Sequence, residues 1–313
     1  MEHSLAPSAL IEGDAEVAPG TTVGPGTWIR FGASLSGSAL AGGVFVGFRS
    51  RLDGVRVASG CQIASLARMG RPGAAPVTIG PGAWIGARAV VEPGVRIGPG
   101  AVVAAGAHAV ADVPSDAIVV GRPARVLRHR EVVEDGAPDF TATIDRVRAR
   151  GDAGRAPLPA HWSSAGGGFL DAALSGGPGV SLGAGVIAMG RPDGPSPRGG
   201  IRLGARTRLG AGVILEGSGG IDIGPDANLG DGVLVVSSGH DPGRRSLPWQ
   251  DGPVRIGAGV AIGAGATIVG PCRLGDGAVV APGSVVVADV PAGGFTTGVI
   301  PPTGRAPQAP PPS

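Results

Sequence analysis

The chain has 313 residues, of which 60 are glycine and 30 proline, a share that marks disorder in an aperiodic sequence. Yet 42% of the residues are hydrophobic and the mean hydropathy is +0.25, which a solvated coil does not sustain. Formal net charge is only +2, carried by 26 basic residues that are all arginine, so nothing argues for a nucleic-acid or membrane-surface partner.

Glycine does not recur at every third position, which excludes collagen. Interior glycine costs a helix about 1 kcal/mol against alanine, which excludes a helical bundle. The opening MEHSLAPSALIEGDAEV has neither a basic start nor a long apolar stretch, so no signal peptide is expected. No run approaches the ~18 apolar residues of a membrane span. Cys61 and Cys272 lie in separate segments and read as reduced thiols of a cytoplasmic protein.

Taken in chain order, the glycines follow aliphatic residues spaced by six. Val17, Val23, Ile29 and Leu35 open the pattern, and Ile79, Ile85, Val91, Ile97 and Val103 hold it without a slip. After residue 200 it returns as Leu203, Leu209 and Leu215, then Ile223, Leu229 and Val235. It is strictest at Ile256, Ile262, Ile268, Leu274, Val280 and Val286. Six residues make one short strand and one tight bend, and three such units close a triangular coil with one aliphatic side chain per unit inside. Neither a 3.6-residue helix nor a hairpin meander produces that period.

The sequence therefore predicts an all-β protein of two tandem solenoids, at 10–130 and 169–291. Residues 76–114 align without a gap on 253–291, with 22 identities in 39 positions. A linker at 131–168 breaks the period, and Phe140, Ile144 and Val147 there suggest one short amphipathic helix. A Pro-rich tail follows from 292, and its last stretch, PPTGRAPQAPPPS, is expected to be disordered.

Both repeat blocks resemble the hexapeptide-repeat acyltransferases, whose fold is a left-handed parallel β-helix. A narrower resemblance, to the galactoside and maltose O-acetyltransferases, rests on LVVSSGHDP, an irregular loop, and the restart GPVRIGAGVAIGAGATI. It implies an acyl-CoA donor (acetyl-CoA being the simplest), a hydroxyl or amine acceptor on a small molecule or sugar, and a homotrimer. It implies no tightly bound cofactor. His240 matches the family's catalytic base, and imidazole suits proton removal from an acceptor nucleophile near neutral pH. Direct transfer is expected, with a backbone N–H of a neighbouring coil stabilising the oxyanion. The same resemblance offers Ala264, Gly283 and Ser284 as pantetheine contacts. Asp241 is a candidate for orienting the imidazole, and Glu216, Arg245 and Trp249 are candidates for the acceptor pocket.

The sequence also departs from that family. Its acceptor-pocket asparagine is missing from Gly212-Val213-Ile214-Leu215-Glu216. The basic phrase that ends such domains survives only in the first solenoid, as Gly121 to Leu127, where arginines face a possible CoA phosphate. The first solenoid has no histidine in its own loop, Ser65 to Ala75, and His108 reads as a surface residue, so this solenoid is expected to be degenerate and the second catalytic.

A γ-type carbonic anhydrase on this fold needs three histidines around zinc, and the second half offers only His161 and His240, so no metal site is expected. A non-catalytic scaffold or ligand-binding solenoid is the alternative. Met69-Gly70-Arg71-Pro72 and Met189-Gly190-Arg191-Pro192 echo one another with no role assigned.

Overall fold

A computed structural model describes residues 4–150, 158–171, 174–190 and 200–298. Its strands have two to five residues, and the one helix among the described residues is Thr141–Arg150. Two compact units result: Met1–Ala153 with His240–Trp249, and Gly154–Gly239 with Gln250–Ser313.

In the first unit three sheets of six, eight and six strands wall a coil, and strands pair with those three places on until Val102–Val103, which pairs with Ala117–Val120 two places on. Pairing is parallel throughout except at the end, so the backbone advances as a β-helix, in agreement with the expected left-handed coil. Consecutive hexads visit consecutive sheets, so Ile79 pairs with Ile97, Ile85 with Val103 and Val91 with Ala109. Ile11, Ile29, Val46, Ile63, Ile85, Val103 and Val119 stack in one inward column. From Ile29 onward that column is buried, each such side chain contributing about 1.5–3 kcal/mol. This is why the inward places stay aliphatic: a slip of one residue turns such a side chain from core to solvent. Where a unit has five residues, as from Leu35 to Leu40 and from Leu52 to Val57, the bend is shortened and the inward place is kept.

The coil is interrupted once by four extra residues between the inward positions Met69 and Ile79. Gly70 opens that interruption with φ +72°, and a Cβ there would collide with the Asp53 carbonyl oxygen. At its far end the unit closes with Ala117–Val120 paired antiparallel to Arg125–His129, an exposed strand containing Arg125 of the basic phrase. The chain then turns along the outer face of the eight-stranded sheet. Phe140 packs 5.9 Å from Phe45, and Asp139 accepts the Thr141 N–H at 2.9 Å to start the helix, which buries Ile144.

The second unit has the same plan, with three parallel sheets of seven, six and five strands. Leu182, Leu209, Leu229, Ile262 and Val280 form one inward column, and Ala188, Leu215, Val235, Ile268 and Val286 another. Phe295–Thr296 adds a last strand beside Val279–Val280. PPTGRAPQAPPPS lies outside the described residues. The two Met-Gly-Arg-Pro phrases are not equivalent in register: Met69 is inward, whereas Ala188 takes the inward place and Met189 faces away. Residues 191–199, which hold the rest of the second phrase, lie outside the described residues.

Among the described residues no helix is long and apolar enough to cross a membrane.

Candidate functional site

The largest break in the second solenoid falls between the inward residues Val235 and Ile256. Ser238–His240 and Trp249–Asp251 pair as a two-stranded neck, and the Asp241 N–H donates to the Pro248 carbonyl at 3.0 Å. Beyond the neck the segment is a member of the first unit. It lies on the outer face of the eight-stranded sheet, where Gln62, Trp84, Val102 and Ile118 follow one another in register.

Charge and backbone hydrogen bonds hold it there. The Arg130 guanidinium, buried, donates to the carbonyls of Gly100, Pro242 (2.6 Å) and Arg244 (2.9 Å). The Val133 N–H donates to the Gly243 carbonyl and the Arg245 N–H to the Val133 carbonyl, at 2.9 and 3.0 Å. Arg245 reaches Asp116 at 2.6 Å and Glu134 at 2.8 Å. Asp135 accepts from the Ser246 N–H and hydroxyl at 2.9 and 2.8 Å and pairs with Arg244 at 3.1 Å. These bonds raise the Arg245 pKa and hold the Glu134 and Asp135 carboxyls below their usual range.

His240 is half-buried within this setting. Its ring meets Trp84 edge-on at 5.2 Å and Trp249 at 5.8 Å. Nδ1 lies 2.8 Å from the Leu247 carbonyl oxygen. A carbonyl only accepts, so the Nδ1 nitrogen carries the proton and Nε2 keeps its lone pair. Nε2 has no hydrogen-bond partner among the described residues. Burial pushes the imidazole pKa down to about 4, against the raising influence of the Leu247 carbonyl. The group is therefore neutral at neutral pH, with one nitrogen available to take a proton.

The other candidates divide between the units. Asp241 Oδ1 accepts the Gly243 N–H at 2.8 Å and shapes the loop, while the imidazole is oriented by Leu247. Arg245 is engaged by Asp116 and Glu134, and Trp249 stands exposed against the histidine. Glu216, Ala264, Gly283 and Ser284 belong to the second unit. There Ala264 and Gly283 occupy exposed corners of successive coils, joined by a 2.9 Å bond from the Gly283 N–H to the Ala264 carbonyl. Ser284 is buried, and its hydroxyl has no partner among the described residues. His108 faces outward, with Nε2 2.7 Å from Glu92. Among the described residues no group of three His, Cys, Asp or Glu side chains is placed to hold a metal ion.

Leu247, Trp84, Gln62 and Arg130 escaped the sequence reading. Trp84 alone left a trace: it is a tryptophan where the aligned position of the second repeat block is Ala261.

Comparison with known proteins identifies the coil. A family model described as bacterial transferase hexapeptide (six repeats) matches residues 76–108 and 253–288. Both units are thus hexapeptide-repeat β-helices. Over 93 residues the chain is 37% identical to 2,3,4,5-tetrahydropyridine-2,6-dicarboxylate N-acetyltransferase of Staphylococcus aureus (strain JH9), a match covering 30% of this chain and 38% of that protein. The same enzyme of strain COL matches equally. Over that segment the chain is similar to these N-acetyltransferases, and it spans well under half the length of these curated relatives.

Among solved structures it is similar to an aspartate-to-asparagine mutant of AntD, an N-acyltransferase from Bacillus cereus in complex with dTDP and coenzyme A. Identity there is 21% and TM-score 0.39, covering 41% of this chain and 84% of that one. PerB from Caulobacter crescentus, in complex with CoA and GDP-perosamine, gives 24% and 0.32, covering 41% and 58%.

Proposed function

We propose that the protein is an acyl-CoA-dependent acyltransferase in which His240 is the general base. The observation that carries this reading is the Leu247 carbonyl at Nδ1, which leaves Nε2 as the proton acceptor. Nε2 takes the proton of an acceptor amine or hydroxyl as that nucleophile attacks the thioester carbonyl. The tetrahedral intermediate collapses with cleavage of the C–S bond, and the proton passes from Nε2 to the departing sulfur, giving free CoA and the amide or ester. Cys61 and Cys272 are buried, so no covalent acyl-enzyme is invoked. The Trp84 and Trp249 rings keep water from the imidazole, and Trp249 is the acceptor-side wall.

For the donor, the exposed corner at Ala264 and Gly283 of the second unit offers backbone groups to pantetheine, whereas the Ser284 hydroxyl is buried beneath that corner and out of a ligand's reach. Glu216 stays a candidate acceptor contact. The name of the Staphylococcus relatives favours an amine as the accepting group. A cytoplasmic setting suits two free thiols. The homotrimer implied by the repeat family belongs to the same reading; a native mass of three chains supports it, and a mass of one chain overturns it.

The test is release of CoA thiol from acetyl-CoA over a panel of amines and alcohols. Acceptor-dependent release that is lost in His240→Ala supports the reading. Full activity of that variant removes His240 from the mechanism, and absence of release with every acceptor favours a non-catalytic scaffold.

A further inference from the structure

The first unit contains a second concave feature on a different wall. It is a groove of about 530 Å³ on the outer face of the sheet that includes Arg51–Asp53 and Arg68–Gly70, whereas His240 rests on the face that bears Trp84. Four arginines line it, Arg49, Arg51, Arg68 and Arg71, against one carboxylate, Asp53. Arg51 and Arg68 are direct cross-strand neighbours. Like charges so placed oppose each other across about 4.8 Å of strand spacing, which destabilises a sheet unless an anion sits between them.

Asp53 pairs with Arg51 at 2.7 Å. Among the described residues neither Arg68 nor Arg71 has a carboxylate partner. Arg71 arrives on the four-residue interruption of the coil, so the extra chain places a further cation at the groove instead of adding core.

We propose that this groove binds the diphosphate group of a small molecule, held by Arg49, Arg51, Arg68 and Arg71. Guanidinium groups match phosphate oxygens in pairs of parallel hydrogen bonds, and four of them against one carboxylate call for several negative charges in one ligand. The volume is that of a small-molecule site and exceeds what a single orthophosphate fills. The first Met-Gly-Arg-Pro phrase thereby gains a role as the wall of an anion groove. The proposal stands whether or not His240 is the base.

Calorimetric titration of the full chain with inorganic pyrophosphate at low ionic strength tests it. One site per chain is expected, weakened about tenfold by Arg68→Gln and by Arg71→Gln, since each removes charged hydrogen bonds. Both side chains are exposed, and among the described residues neither has a carboxylate partner, so each substitution leaves the buried core untouched. Arg202→Gln, whose arginine pairs with Asp222 at 3.2 Å outside the groove, is expected to bind as wild type. No binding by wild type overturns the proposal. So does unchanged binding by the two groove variants, an equal loss in Arg202→Gln, or sulfate binding as tightly as pyrophosphate.

Discussion

Nδ1 of His240 lies 2.8 Å from the carbonyl oxygen of Leu247, seven residues further along the same loop. Leu247 has φ +46° and is fully buried, so the chain reverses there and returns its carbonyl to the ring. The Gln62 amide donates to that same oxygen at 3.4 Å. The loop thus supplies both the imidazole and the group that fixes its tautomer. The solenoid beneath supplies the surface on which both are seated.

Replacing His240 by glutamine is expected to lower kcat for acyl transfer by about 10²- to 10⁴-fold, the usual worth of a general base. KM for acyl-CoA should change little, because the imidazole is assigned to proton transfer and not to the donor. Steady-state thiol release in both substrates separates the two constants. An unchanged kcat removes the base assignment.

The pH dependence follows from burial. With a pKa of about 4 in the folded protein, the imidazole stays neutral far below the ordinary value of 6.5. The acid limb of kcat/KM should therefore fall near pH 4, and a midpoint near 6.5 contradicts the burial seen here. Stability follows the same logic. Between pH 6.5 and about 4 the unfolded chain binds a proton at this residue that the folded chain does not, so wild type loses stability as pH falls through that window. Denaturant titrations should show this loss in wild type and not in His240→Gln.

Arg130→Met is expected to loosen the loop without touching the imidazole. Its guanidinium serves the carbonyls of Gly100, Pro242 and Arg244, and each buried carbonyl left unpaired costs about 1–3 kcal/mol. The expected result is faster proteolytic cleavage within 240–249 and a fall in acyl transfer, with the solenoid still folded by circular dichroism. Cleavage no faster than in wild type would show that Asp116, Glu134 and Asp135 hold the segment by themselves.

The coil was legible because a hexad repeat has one physical solution: Ile79, Ile85 and Val91 must each reach the axis, and they do. His240 stood out because its stretch resembles the acetyltransferase family's histidine segment and because the period breaks around it. Where its loop goes was not. Arg245 finds Glu134 and Asp116 at sequence separations of 111 and 129, and no local pattern encodes a pairing of that range. Nor does Asp241, adjacent in sequence, reveal that a backbone carbonyl orients the ring, since a carbonyl belongs to every residue and leaves no compositional mark. The arginine groove is distributed in the same way, its cations at 49, 51, 68 and 71 meeting only when successive coils stack.

The two cysteines allow a prediction that bears on every thiol-release measurement. Cys61 and Cys272 are both buried, and burial pushes both thiols up to about 12. Cys61 further donates to the Gly80 carbonyl at 3.1 Å. The thiolate is the reacting form, so at pH 8 each thiol is almost wholly in its unreactive state and shielded from solvent as well. The native protein should give no colour with an aromatic disulfide reagent over the minutes of an assay, and two thiols per chain once denatured. Colour released with acetyl-CoA and an acceptor then counts CoA alone. Rapid reaction of the native protein would mean that one of the aliphatic columns opens around its cysteine, and the burial of that column would have to be reassigned.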